Sequence, residues 1–139
     1  MATSKASARW QGTLKEGQGS MKPAHGSEVG FGFNSRFEGG AGSNPEELIG
    51  AALAGCYSMA LTGALGRNEM SPQEVTTTAE VQLEKLPEGF RITRIDLVTV
   101  AKVPGADPAK FQKIAEETKS GCPVSKALSA PITLKASLG

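Results

Sequence analysis

Residues 44–67 open with Asn44-Pro45-Glu46-Glu47, continue as LIGAALAGCYSMALTGALG and close at Arg67. The run over residues 48–66 holds 19 positions without a charge, and Cys56 lies near its middle. Pro45 suits the first position of a helix, where its missing N–H costs nothing. Ser43 or Asn44 can cap that helix, and Glu46 and Glu47 face the positive end of its dipole. Gly66 and the Ser71-Pro72 pair mark its end. A helix over Pro45–Arg67 is predicted. Leu48, Ile49, Ala52, Cys56, Met59, Ala60 and Gly63 recur along it at three- and four-residue steps, and small or apolar residues cover the other faces. Burial nearly all round is therefore expected, which a chain of 139 residues achieves with help from a second subunit. The run is also as long as the roughly 17–25 residues that cross a bilayer. Nine of its 19 residues are Gly or Ala, however, and Ser58, Thr62 and Cys56 dilute it further. A core helix is expected, not a membrane span.

Working outward, residues 6–14 (ASARWQGTL) read as an opening strand anchored by Trp10, with a turn at 15–19. Residues 30–33 (GFGF) read as a strand lying close to another backbone, and residues 34–43 as a polar, glycine-rich loop. Residues 74–84 (EVTTTAEVQLE) and 90–103 (FRITRIDLVTVAKV) alternate with period two and are rich in β-branched residues. The turn at 85–89 (KLPEG) makes them a hairpin. One face collects Val75, Thr77, Ala79, Val81 and Leu83; Ile92, Ile95 and Leu97 belong to its partner. Asp107-Pro108 starts a second helix carrying Phe111, Ile114 and Ala115 on one side, with Lys119 near its end. Cys122-Pro123 begins a short helical turn through Leu128, and residues 132–136 (ITLKA) close the chain as a strand. This order implies an α+β fold with an antiparallel sheet, in a single domain over residues 1–139.

A net charge of +1 gives no reason to expect nucleic acid or a membrane surface as a partner. The N-terminus lacks the apolar stretch of a secretory signal, so the expected location is cytoplasmic, where thiols stay reduced. Cys56 and Cys122, 66 positions apart, are the only cysteines and His25 the only histidine. Neither a zinc set nor a Cys-x-x-Cys dithiol can be drawn from them. Two readings remain: a pair of inert core thiols, or a reactive and a resolving cysteine. Small neighbours (Ala52, Gly55, Ala60) leave room for a substrate beside Cys56. Cys122, ahead of Pro123, can sit where backbone N–H groups lower a thiol pKa. A thiolate that attacks a peroxide becomes a sulfenic acid, and a second thiol condenses with it to a disulfide. Arg36, between apolar residues, can stabilise the thiolate and bind peroxide oxygens, with Glu46 holding it. Ten residues, roughly 15 Å of helix axis, separate Glu46 from Cys56, so a site shared between two subunits is expected.

These residues also form longer motifs. Asn44 to Ala52, with Cys56-Tyr57-Ser58-Met59-Ala60-Leu61, resembles the signature of the OsmC/Ohr family, the osmotically inducible protein C and organic hydroperoxide resistance proteins of bacteria. The likeness extends through Phe31-Gly32-Phe33-Asn34-Ser35-Arg36-Phe37-Glu38-Gly39, Val103-Pro104-Gly105 and Gly121-Cys122-Pro123-Val124-Ser125. Arg36 in a loop, instead of an early strand, favours the OsmC branch. The resemblance implies an intertwined α+β homodimer whose sheets wrap a long central helix, with active sites at the subunit interface. It further implies a thiol-dependent peroxidase of oxidative and osmotic stress defence, acting on organic hydroperoxides and more weakly on hydrogen peroxide. Carried over by position, Cys56 is the peroxidatic cysteine and Cys122 the resolving one. Arg36 activates the thiolate, Glu46 orients Arg36, and Glu47 is a neighbouring helix-start charge. No metal or other cofactor is implied; an external dithiol, of the lipoyl type by resemblance, resets the cycle. Tyr57, Met59 and Phe37 are candidates for an apolar pocket or for the core. The Pro-x-x-x-Thr-x-x-Cys pattern of peroxiredoxins is absent, since Leu53 and Lys119 stand three residues before the cysteines. The alternative from another class is a non-catalytic stress protein that binds a small apolar ligand in the same dimer pocket.

Overall fold

The computed structural model describes residues 1–139, which form two compact units, Met1–Leu48 and Ile49–Gly139. In the first, strands β1 (Ala6–Gln11), β2 (Gln18–Pro23) and β3 (Val29–Phe31) make an antiparallel sheet in the order β1-β2-β3. Gly19 of β2 pairs with both Trp10 and Phe31. A Cβ at Gly19 would fall 2.6 Å from the Trp10 ring and 2.8 Å from the Phe31 ring. Its absence lets those rings meet at 5.5 Å between centroids. The strand expected at 6–14 stops at Gln11, and β2 was not anticipated: its residues, QGSMKP, lack the β-branched signal.

The loop expected over 34–43 is corrected in part. Phe33–Phe37 forms a short helix, α1, because Ser35 closes the turn: its hydroxyl accepts from the Gly32 N–H at 2.9 Å and donates to the Ser43 carbonyl at 2.8 Å. Helix α2 then spans Pro45–Arg67. Asn44 caps it, Oδ1 accepting from the Glu47 N–H at 2.8 Å, while its amide donates to the Ser35 carbonyl at 3.1 Å.

The second unit carries most of α2 with β4 (Glu74–Leu86), β5 (Gly89–Lys102), α3 (Pro108–Lys119), α4 (Pro123–Ala127) and β6 (Ile132–Leu138). Strands β4 and β5 pair antiparallel, but β6 runs parallel to β5, from Ile95↔Ile132 to Ala101↔Leu138. The expected all-antiparallel sheet is therefore wrong here. A parallel neighbour needs a long crossover, and α3 and α4 supply it. At Gln82/Leu83 the β4–β5 register slips, leaving Thr93 as an extra residue on β5. That bulge is why Ile92 and Ile95, three apart, both reach the core.

Burial of α2 also differs from expectation. One stripe, Gly50, Leu53, Tyr57, Leu61 and Leu65, is buried, while Ala51, Ala52, Gly55, Met59, Thr62 and Gly63 are exposed, Met59 at 81%. The buried face is set by four-residue steps of large side chains; within the second unit the helix has partners on that side alone. Leu53, Tyr57, Leu61 and Leu65 join Ile95, Leu97 and Ala101 of β5 and Phe111, Ile114 and Ala115 of α3 in one core. Gly50 brings the helix close to β4: a Cβ there would lie 3.2 Å from Val81 Cγ2. By length and composition α2 could cross a bilayer, with a mean hydropathy of 1.6. Leu53, Tyr57, Leu61 and Leu65 are instead spent on the core.

Candidate active site

Two groups of side chains carry the chemistry. In the second unit, Cys56 projects from α2 and is partly exposed, whereas Cys122, the residue that caps α4, is fully buried; both are free thiols. The two thiols act on one another's ionisation, and the Val124 N–H bears on both. The Cys122 Sγ also accepts from the Ser125 N–H at 3.4 Å, and the Ser125 hydroxyl donates to the Cys122 carbonyl at 2.8 Å. The Cys-Pro step creates this geometry: Pro123 starts the turn without an N–H of its own, so the next two amides are turned back toward the sulfurs.

The thiols are not electrostatically alike. Burial pushes the Cys56 thiol up, and its contact with Cys122 adds to this against the Val124 N–H. Burial also opposes ionisation of Cys122, but the Ser125 hydroxyl and N–H, with Cys56 and the Val124 N–H, outweigh it and hold that thiol below its ordinary value. The expectation of a lowered Cys122 pKa is met. The two thiols are thus shifted in opposite directions, Cys56 up and Cys122 down.

In the first unit, Arg36 donates from Nε at 3.1 Å and Nη2 at 2.9 Å to a single oxygen, Oε1, of Glu46. Glu46 is 6% exposed and its Oε2 has no hydrogen-bond partner. Glu47 is exposed and its carboxylate accepts from the Ser43 hydroxyl instead. Of the two helix-start carboxylates, Glu46 is thus the one that holds the arginine. Arg36 sits on α1, not in a loop as expected, with its guanidinium 5.1 Å from the Phe37 ring. Beside it Trp10, Leu14, Phe31, Phe33 and Phe37 line an open cavity of about 280 Å³. Of the three candidates for an apolar pocket, only Phe37 belongs to it. Tyr57 is core, its hydroxyl donating to the Ala115 carbonyl at 2.9 Å, and Met59 projects outward. Ser125 and Val124 were missed as site residues; the signal was their place directly after Cys122-Pro123.

Residues 38–137 match the family model for OsmC-like protein. The chain belongs to the OsmC-like family. It is 48% identical over 132 residues to Peroxiredoxin OsmC of Escherichia coli strain K12, covering 94% of this chain and 92% of that protein. It is also 33% identical over 90 residues to an organic hydroperoxide resistance protein of Xanthomonas axonopodis pv. citri, covering 64% and 61%. Among solved structures, OhrB of Bacillus subtilis, an organic hydroperoxide resistance protein, superposes with a TM-score of 0.70 at 25% identity, covering 99% of this chain and 98% of that one. The OsmC-like fold thus agrees with the mixed sheet and helix order described above. The higher identity to the OsmC relative agrees with the branch read from the motifs, even though Arg36 lies on a helix.

Proposed function

We propose that this OsmC-like protein is a thiol peroxidase that reduces organic hydroperoxides, and hydrogen peroxide more weakly, in stress defence. The observation that carries the reading is the pair of free thiols, Cys56 on α2 and Cys122 at the start of α4, each of which shifts the other's ionisation. The Cys56 thiolate attacks the distal oxygen of the hydroperoxide, the O–O bond breaks, and the alcohol leaves with a proton. Cys56 is then a sulfenic acid. The Cys122 thiolate displaces its oxygen as water and closes the Cys56–Cys122 disulfide. An external dithiol, of the lipoyl type, returns both thiols; the sulfurs carry the electron pair without metal or other cofactor. Arg36, oriented by Glu46, stabilises the oxygen as its charge develops.

We place the reaction in a cytoplasmic homodimer with intertwined subunits. Three features support the dimer: the exposed small-residue face of α2, the absence of a buried apolar side chain in Met1–Leu48, and the unpartnered Glu46 Oε2. A buried acceptor left unpaired costs about 1–3 kcal/mol, which a donor from a partner subunit or substrate would recover. The aromatic cavity beside Arg36 favours one second reading, a non-catalytic protein that binds a small apolar ligand.

The test is intact mass after one equivalent of cumene hydroperoxide, with wild type beside Cys56→Ser and Cys122→Ser. Wild type is expected to lose two hydrogens, Cys122→Ser to give a sulfenic acid trappable by dimedone, and Cys56→Ser to stay unchanged. Free thiols throughout would leave the ligand-binding reading standing in its place.

A further inference from the structure

The reductive half of the cycle has a direction built into the thiol pair. We infer that the dithiol reductant attacks the sulfur of Cys56, and that Cys122 is the sulfur that leaves. The inference rests on the peroxidase reading and specifies which end of its disulfide is opened.

Access is the first argument. Cys122 is fully buried within its own chain, so no assembly of subunits exposes it. Cys56 is partly exposed on α2, and any hydroperoxide that oxidises it must already have a path to it. A nucleophile opens a disulfide along the S–S axis, from behind the sulfur it attacks. Cys122 is enclosed by its own chain at the start of α4, whereas Cys56 is flanked on α2 by the small residues Ala52, Gly55 and Ala60.

Stabilisation of the leaving group is the second. As the S–S bond breaks, negative charge collects on the departing sulfur. The Ser125 N–H already points at Cys122 Sγ at 3.4 Å, and the Ser125 hydroxyl, 2.8 Å from the Cys122 carbonyl, can turn to the same sulfur. The lowered Cys122 pKa reports the same donors, and a thiol of lower pKa leaves faster. Ser125 is thus a positioning residue for the leaving sulfur.

The electrons and protons balance in two exchanges. One thiolate of the dithiol bonds to Cys56, the S–S bond breaks, and Cys122 departs as thiolate. The dithiol's second thiolate then attacks its own partner sulfur, expels Cys56 as thiolate and becomes a cyclic disulfide. The two thiol protons of the reductant end on the two cysteines. A monothiol lacks the second step, and the adjacent Cys122 thiolate expels it again, so dithiols are favoured by the high effective concentration of their second thiol.

The test begins with wild-type disulfide, made with one equivalent of cumene hydroperoxide and verified by its mass. If the disulfide does not form, the peroxidase reading itself has failed. The disulfide is then pulsed with excess mercaptoethanol, quenched in acid, alkylated and mapped by peptide. The expected product carries mercaptoethanol on Cys56 and the alkyl group on Cys122. An adduct on Cys122, or an equal split, overturns the inference. Ser125→Ala, read in parallel with dithiothreitol, is expected to slow disulfide reduction roughly two- to tenfold, the worth of one hydrogen bond. Ser125→Thr is expected to restore it. Equal slowing of Cys56 oxidation and of disulfide reduction would mean that Ser125 only supports the fold, and would overturn its role in departure.

Discussion

In Ile49–Gly139, thirteen apolar side chains are buried in one cluster, ten of them from α2, β5 and α3. In Met1–Leu48, the only buried residues are Ser35 and Glu46, and every residue of β1 is exposed. The second unit is thus organised by removal of apolar surface from water, and the first by a hydroxyl that closes α1, an asparagine that caps α2 and an ion pair. The thiols lie in the part with the deep core, the arginine in the part without one. This division suits the roles proposed for them. Two sulfurs must meet with little tolerance, whereas an arginine that greets substrate gains from a framework that adjusts.

The largest expected effect tests the division directly. Leu61→Ala empties a fully buried site and should lower unfolding free energy by about 2–5 kcal/mol, as read by urea denaturation. Trp10→Ala, at a ring that keeps 37% exposure, should cost about 0.5–1.5 kcal/mol, the order of its pairing with Phe31. Equal losses would show that Met1–Leu48 has a core of its own in solution and would break the comparison.

Next comes the ion pair. Glu46→Gln keeps the shape of the side chain but removes the charge that Arg36 binds. The hydroperoxide reaction should slow by roughly tenfold to a hundredfold, the rate equivalent of about 1.5–3 kcal/mol in charge-assisted hydrogen bonding. The unfolding midpoint should move less than in Leu61→Ala. A variant that unfolds readily but reacts at the wild-type rate would assign Glu46 to folding alone.

The smallest effect concerns the sulfurs. Ultraviolet thiolate absorbance of the reduced protein should show one thiol ionising below the ordinary range and the other above it, following the opposite shifts of Cys122 and Cys56. Cys122→Ser should remove the first step. The sign for stability follows. Because its folded pKa is lowered, Cys122 contributes stability above its unfolded pKa, and that contribution is lost as pH falls through the folded value. Cys56, raised, contributes below its unfolded pKa and loses that as pH rises through the folded value. A single unshifted step for both thiols would dissolve the electrostatic contrast between them.

Much of this was legible beforehand. The Asn44-Pro45 start and Gly66 end bounded α2, Asp107-Pro108 placed α3, and period-two alternation found β4 and β5. Asp107 does cap α3, accepting from the Ala109 N–H at 3.1 Å. The active-site candidates came from motifs; the structure pairs Arg36 with Glu46 and leaves Cys56 and Cys122 as free thiols. β2 escaped because its residues carry little strand preference, and α1 because its turn is held by the distant Ser43 carbonyl instead of by local helix formers.

Sequence alone bounded α2, α3, β4 and β5, since caps, prolines and alternation act over a few residues, but not β1, β2 or α1. It also determined the family, through motifs spread along nearly the whole chain. Only the tertiary structure decided which face of α2 is buried, because a helix of small and apolar residues offers several faces and large side chains on β5 and α3 select one. Only the tertiary structure made β6 parallel, because alternation of side chains is the same for either strand direction. The same holds for the acidity of Cys122: it depends on amides from the next turn aimed at a buried sulfur, a geometry that exists only once the chain has folded around it.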